Sequence, residues 1–433
     1  MIAELTARSC SPSDAKGEGP FRDLEIVSLR IDPAAAPNEE DPVWSELAGI
    51  LLDEALLVFQ AEGFEIVYAD TEGRTDDYRE LLRERGFVRI PGSQKRCCTD
   101  LRTSLVVFGD AAGSVREPFC NSPALLAVQR ENTRRLRIGV AGLYPGKAVL
   151  FINSGILYYR LTKKIREQFG PVLSINENDA TSDERGISVP FGKILKTCRI
   201  PGMKTVALNL ERVYMQDLSS FSIRESAGYP KLSVQIRNLR SMGGPIVLVD
   251  DCYHNGFRMQ EISRSLKAEG INEERLVVGV ISGIGRENTE KNGLKVDAVY
   301  DIPGMKACIL ETDLIPFYCG DRVTQTHETQ IRASIYQILP YQMPAVLRDA
   351  PYQAVYDVSM ICLENAKRLF EVLETLYEER YFRRLTMERL AEVIDDPGCP
   401  ETVADSADAL GEAVSVLLAR EITRLKRFYV RRV

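Results

Sequence analysis

Asp250 and Asp251 stand side by side at the end of the apolar run Ile246-Val247-Leu248-Val249, and Cys252-Tyr253-His254-Asn255-Gly256-Phe257-Arg258 follows them. Adjacent carboxylates can accept ribose hydroxyls or hold a hard cation such as Mg2+. An Asn-Gly step turns the chain sharply, and the free amides of a turn that opens a helix suit a phosphate. These residue types in this order therefore point to a sugar-phosphate site. The elements that must position them are equally legible. Four consecutive aliphatics read as a strand buried on both faces, and Met259, Ile262 and Leu266 share one face of a helix that starts after the turn. The plainer alternative is a parallel strand whose end carries solvated acids.

This stretch resembles the motif with which type I phosphoribosyltransferases bind 5-phosphoribosyl-1-pyrophosphate (PRPP): a hydrophobic strand, two acids, a short apolar pair and a Thr-Gly-x-Thr turn. Asn255 and Arg258 stand where that family places hydroxyl residues, with Gly256 and Phe257 between them, and Arg258 offers charge in their place. The flanks are similar too. The apolar run 148–152, then Asn153-Ser154-Gly155 and a helix over 157–167, looks like the family's first strand and pyrophosphate loop. A strand at 206–210 leads to Ser219, Ser220 and the polar segment 222–229, which resembles the mobile loop of hypoxanthine-type members. Strands at 276–281 and 295–303 precede a hood candidate at 310–318, where Asp313 falls in the place of a metal-side acid. The resemblance spans residues 140–325.

It implies a parallel-sheet α/β core and a Mg2+-dependent transfer from PRPP to a nitrogenous acceptor. Asp250 and Asp251 would be the catalytic acids and, with Asp313, the metal ligands. Asn153, Ser154, Gly155, Ser219, Ser220 and the 255–258 turn would complete the PRPP contacts. Two departures bear on the acceptor. Ile281-Ser282-Gly283 and Lys306 stand where hypoxanthine-type enzymes carry a base-reading lysine and a stacking aromatic. A non-catalytic protein that senses PRPP or a nucleotide on the same fold is the alternative, and a scaffold whose pocket is filled above Asp250 is a third.

Residues 1–20 are rich in Ser, Gly and Pro and read as a flexible tail. Residues 21–115 follow as strand (24–31), long helix (43–62), strand (64–69), helix (75–85), Gly86-Phe87 and strand (101–108). That order resembles the C-terminal half of the GNAT acyltransferase fold, an α+β module. Its long helix starts Val43-Trp44-Ser45-Glu46-Leu47-Ala48, with no glycine-rich phosphate loop, so a structural role is expected rather than acyl transfer. Residues 116–325 make the PRPP-binding domain. Residues 326–433 read as a helical C-terminal domain, with helices at 328–338, 356–377, 386–394 and 404–428 punctuated by prolines.

With 433 residues the chain can bury several cores, and 27% charged with 45% hydrophobic residues is an ordinary globular balance. A net charge of -7 lacks the basic footprint of a general nucleic-acid binder. Ten cysteines without a Cys-x-x-Cys pair and only two histidines give no zinc or redox signature. No apolar run reaches membrane length and no signal-peptide pattern opens the chain, so a cytoplasmic protein is expected, with a homo-oligomer among its allowed states. The segment Ile200-Pro201-Gly202-Met203-Lys204 recurs as Ile302-Pro303-Gly304-Met305-Lys306, and each copy is expected to feed a buried strand.

Overall fold

The computed structural model describes residues 3–10, 22–109, 114–169, 186–193, 200, 203–215, 219–226, 228–244, 246–271, 275–318, 322–323, 331–332, 347–395, 397 and 410–430. The chain is an α/β protein with one mixed sheet, one parallel sheet, a small third sheet and a helical C-terminal region.

The expected tail begins instead with strand β1 (Ala3–Cys10), which pairs antiparallel with β2 (Asp23–Ile31). Its alternating half-buried residues fit an edge strand. Helix α1 (Pro42–Ala61) follows, its first turn capped by the Asp41 carboxylate on the Val43 amide at 2.8 Å, with Pro42 where a missing N–H does no harm. It crosses to β3 (Ile66–Asp70), parallel to β2. Thr75 caps α2 (Asp76–Arg83), and Gly86 closes it at φ +83°, a conformation glycine adopts freely. A side chain at Gly86 would overlap the carbonyl oxygen of Lys147.

Strand β4 (Val88–Arg89) and the long β5 (Arg96–Gly109) complete this part. The first half of β5 pairs antiparallel with β3 and β4. After a register shift between Asp100 and Ser104, its second half lies parallel between β6 (Lys147–Asn153) and β14 (Met305–Leu310). One strand thus serves two neighbourhoods. Helix α3 (Pro123–Leu143) connects β5 to β6 and packs on the sheet, and α4 (Ser154–Phe169) leaves β6. A buried ionic cluster ties the helices together. Arg85, 1% exposed, pairs with Asp53 of α1 at 2.8 Å and with Glu84, and Arg137 of α3 reaches Asp53 at 3.2 Å.

The parallel sheet runs β8 (Lys204–Thr205), β7 (Ile187–Pro190), β11 (Ile246–Tyr253), β12 (Arg275–Ser282), β13 (Val296–Ile302). The strand expected at 206–210 is displaced. Residues 206 and 208 still bond to β7 through Ser188 and Pro190, but the next strand is β9 (Leu210–Tyr214). It forms a hairpin with β10 (Phe221–Glu225), so the segment expected as a mobile loop carries a paired strand. β15 (Arg322–Val323) and β16 (Ile331–Arg332) join that hairpin as the third sheet. Residues 331–332 are therefore strand within the helix expected at 328–338, and the rest of that segment lies outside the described residues.

Helices α5 (Leu232–Ser241), α6 (Phe257–Ala268) and α7 (Gly283–Lys291) link the parallel strands. Between β13 and β14 the Pro303-Gly304 turn carries the chain from one sheet to the other, and Gly304 has no room for a side chain against Arg102. The boundary expected at 115/116 therefore does not separate the sheets: β6 and β14 belong to the mixed sheet of the N-terminal part. Helix α8 (Tyr352–Tyr381) packs its N-terminal half with α3 on that sheet, where Asn132 and Asn365 exchange side-chain-to-carbonyl hydrogen bonds of 2.8 Å. Its C-terminal half forms a second core with a 3-10 turn (Met387–Glu392) and α9 (Val414–Val430). No helix among the described residues is long and apolar enough to cross a membrane.

Candidate functional site

β11 is buried from Ile246 through Asp251, which is why it reads as continuous aliphatic sequence: parallel neighbours cover both edges and helices both faces. The strand carries its two acids inside, with Asp250 at 2% and Asp251 at 4% exposure. Burying carboxylates demands partners. Asp250 Oδ1 accepts from Arg258 Nη1 at 2.7 Å and from the Asp251 amide at 2.9 Å. Burial pushes the Asp250 carboxyl up to about 6, with Arg258 pulling the other way and Asp251 adding to the rise.

The turn between β11 and α6 is held from the side. Gly256 takes φ +73°, and a side chain there would strike the Tyr253 hydroxyl. Asn255 Oδ1 accepts from the Phe257 amide at 3.1 Å. From the α7 side, Ser282 donates to the His254 carbonyl at 2.9 Å, and Asn288 donates to that of Asn255 at 3.0 Å. Both keep the turn in one shape at the N-terminus of α6, where the helix dipole favours an anion.

β11 lies between β12 and β7, and β7 leads to further charged residues. Its ladder continues past Pro190, since the Phe191 amide donates to the Val249 carbonyl at 3.0 Å, and it ends in Gly192-Lys193. Gly192 brings backbone against the Asp251 carboxylate, so that a Cβ would sit 2.5 Å from Cγ. Lys193 forms an ion pair with Asp313, which also meets Arg212 of β9 at 3.4 Å. Asp313 lies in the 3-10 turn Glu311–Leu314 after β14, beside Glu311, which accepts from Thr133 of α3 at 2.5 Å. The β9–β10 hairpin leans on the site: Phe221 meets the Phe257 ring edge-on at 5.3 Å, and Arg212 lies 5.9 Å from both Tyr214 and Phe221.

Asp250, Asp251, Asn255, Gly256, Phe257 and Arg258 thus lie together, and Asp313 is linked to them through Lys193 and Gly192 on one side and through Arg212 and Phe221 on the other. Asn153, Ser154 and Gly155 lie on a different strand, and Ser154 is joined through Gly109 to the place that Glu311 faces, two residues before Asp313. They end a strand of the other sheet and start α4: Asn153 Oδ1 accepts from the Ile156 amide at 3.0 Å, and Ser154 donates to the Gly109 carbonyl at 2.9 Å. Strand pairing puts β7, not β6, next to the acids. Ser219 and Ser220 are exposed and lead into β10, with the Ser220 carbonyl accepting from Met215 at 2.9 Å.

Gly192, Lys193 and Arg212 were not legible as site residues. The signal for the first two is a run of four strand residues closed by proline and followed by Phe-Gly-Lys, too short for hydrophobic patterning to pick out. Arg212 carried none.

The acids expected to hold Mg2+ do not fit a resident cation. Asp250 is paired with Arg258, Asp313 with Lys193 and Arg212, and Asp251 faces the Gly192 backbone. Among the described residues no group of three or more His, Cys, Asp or Glu is placed to hold a metal ion. Compared with known proteins, the chain matches no family model and no curated protein.

Proposed function

We propose that the protein binds PRPP where β7 and β11 end, and transfers its phosphoribosyl group to a nitrogenous acceptor. One observation carries this reading: of two neighbouring parallel strands, one leads into a glycine-lysine pair and the other carries an acid pair two residues before its end, and a rigid helix-opening turn lies beyond the acids. That arrangement offers anion-binding backbone on either side of two carboxylates, which suits a ribose carrying phosphate at both ends.

In this reading Asp250 and Asp251 face the ribose hydroxyls. The amides after Asn255-Gly256, with Arg258, take the 5'-phosphate, and Gly192-Lys193 takes the pyrophosphate. Any Mg2+ enters on the substrate's pyrophosphate. As pyrophosphate leaves, C1' becomes cation-like, so the protein's work is positioning and charge stabilisation rather than covalent catalysis. The Arg212, Tyr214 and Phe221 side chains of the hairpin give a wall against which a planar acceptor can lie.

The type I phosphoribosyltransferase resemblance supports this reading through its acid strand, and the all-parallel order around β11 agrees with it. The β2–α1–β3–α2–β5 order likewise agrees with a GNAT-like half-domain. The Asp41 carboxylate at the start of its long helix disfavours a pyrophosphate there, so a structural role is proposed for it. A second reading, sensing of PRPP or a nucleotide without turnover, is favoured by the Arg258–Asp250 pair, because an acid already neutralised is less available to the reacting sugar.

Calorimetric titration with PRPP, beside an Asp250→Asn, Asp251→Asn variant, tests the site. Binding that the variant loses supports it, and absence of binding by the wild type removes both readings. Pyrophosphate release across a panel of nitrogenous acceptors then separates transferase from sensor.

A further inference from the structure

Three buried or half-buried acids converge on the ends of β7 and β11, and three cations of the chain meet them. Arg258 lies on Asp250 at 2.7 Å, and Lys193 and Arg212 lie on Asp313. Asp250 and Asp313 are thus already paired with cations of the chain, Arg258 on the first and Lys193 with Arg212 on the second. The cations are not distant surface residues. Their side chains are 22%, 26% and 22% exposed, against 3% for Asp250 and 5% for Asp313.

A Mg2+ ion binds oxygen at about 2.0–2.1 Å and demands a near-octahedral shell. On Asp250 Oδ1 it would share the oxygen with a guanidinium already at 2.7 Å and with the Asp251 amide at 2.9 Å. Like charges at such separation in a poorly solvated site repel strongly. Arg258 is also the second residue of α6, so the group that neutralises Asp250 starts from the helix end where amides face an anion. A guanidinium carries five N–H donors in a planar fork, enough to hold a carboxylate on one side and a phosphate oxygen on the other.

We propose that Arg258 takes the place of a divalent cation at this site, so that a phosphorylated ribose is held there without Mg2+. The inference rests on the PRPP reading above and goes beyond it by assigning the counter-charge to the chain. Lys193 and Arg212 play the corresponding part at Asp313, leaving the acids as anchors for the chain's own cations.

The test is calorimetric titration of the full chain with PRPP, once in excess EDTA and once with Mg2+, for the wild type, Arg258→Met and Arg258→Lys. The wild type is expected to bind in both media with affinities within about threefold, a difference well under 1 kcal/mol. Arg258→Met is expected to lose about 100-fold or more in EDTA, as for truncation of one partner of a buried charge pair, and to recover part of it in Mg2+, because Asp250 is then released. Arg258→Lys keeps the charge and is expected to stay closer to the wild type in EDTA than Arg258→Met, and thermal unfolding of each variant checks that it folds. Wild-type binding that needs Mg2+, or Arg258→Met binding as tightly as wild type in EDTA, overturns the proposal while leaving the PRPP reading in place. No binding in either medium overturns both.

Discussion

The Cα of Gly192 lies against the carboxylate of Asp251, so closely that a side chain at 192 would come within 2.6 Å of Oδ2. Two residues 59 positions apart (251 minus 192) are therefore locked in one arrangement by adjacent parallel strands. Gly192 does not need left-handed backbone, since the constraint is space alone. Gly192→Ala is expected to displace either the loop or the acid, an overpacking cost of about 1–3 kcal/mol. On the proposed reading, PRPP affinity falls about tenfold or more. Titration beside thermal unfolding checks this, and unchanged affinity would count against the Gly192 loop as a ligand contact.

Gly86 is constrained twice over, by φ +83° and by the Lys147 carbonyl lying where a Cβ would go. Gly73 shares the positive φ, at +67°, but has nothing within 4 Å of that position. Gly73→Ala should therefore cost only the backbone preference, about 1 kcal/mol, and Gly86→Ala about 2–4 kcal/mol. Denaturant melts of the two variants isolate the overlap, and equal losses would refute it.

Removing one partner from the Arg85, Asp53, Glu84 and Arg137 cluster leaves buried charge uncompensated. Burial already pushes the Glu84 carboxyl up despite Arg85 and Arg137 beside it. Arg85→Met is expected to lose about 3–5 kcal/mol. The exposed Arg264–Glu261 pair makes a fitting control, since such pairs contribute little. Urea unfolding of both variants measures the contrast.

Asp250 titrates near the ordinary carboxylate value of about 4 when unfolded, and near 6 when folded. The folded state binds the extra proton between those values. Its stabilising contribution is therefore fully present below about pH 4 and lost as pH rises through about 6. The stability of wild type relative to Asp250→Asn should fall by about 2–3 kcal/mol from about pH 4 to about pH 7. Urea titrations across that range read the difference directly, and a flat difference would show that folding leaves the proton affinity of Asp250 unchanged.

Much of the element pattern was legible because it is local. The apolar runs of β6, β11, β12 and β13, the amphipathic α1 and α6 and the Gly86-Phe87 close of α2 all declare themselves within a few residues. So did the acid pair and the Asn-Gly turn. The hairpin at β9 and β10 was missed because each strand is only five residues long and β10 is buried only in part, by its partner strand and the Phe257 ring, so the alternation of Phe221 and Ile223 with Ser222 and Arg224 covers too few residues to stand out. The first strand was missed because Ala3 to Cys10 lies at a sheet edge and shows little apolar sequence.

The sequence by itself determined that a buried strand ends in two acids before a phosphate-suited turn, since both properties follow from neighbouring residues. Tertiary structure decided which apolar strand stands beside those acids. Both 148–152 and 187–190 could pair there, and only the closing of the sheets assigns β6 to β5 and β7 to β11. It also decided that Arg258 turns to Asp250 and that Asp313 meets Lys193, 120 positions away. Strand pairing and buried ion pairing depend on which surfaces exclude water together. No local window of sequence contains that information.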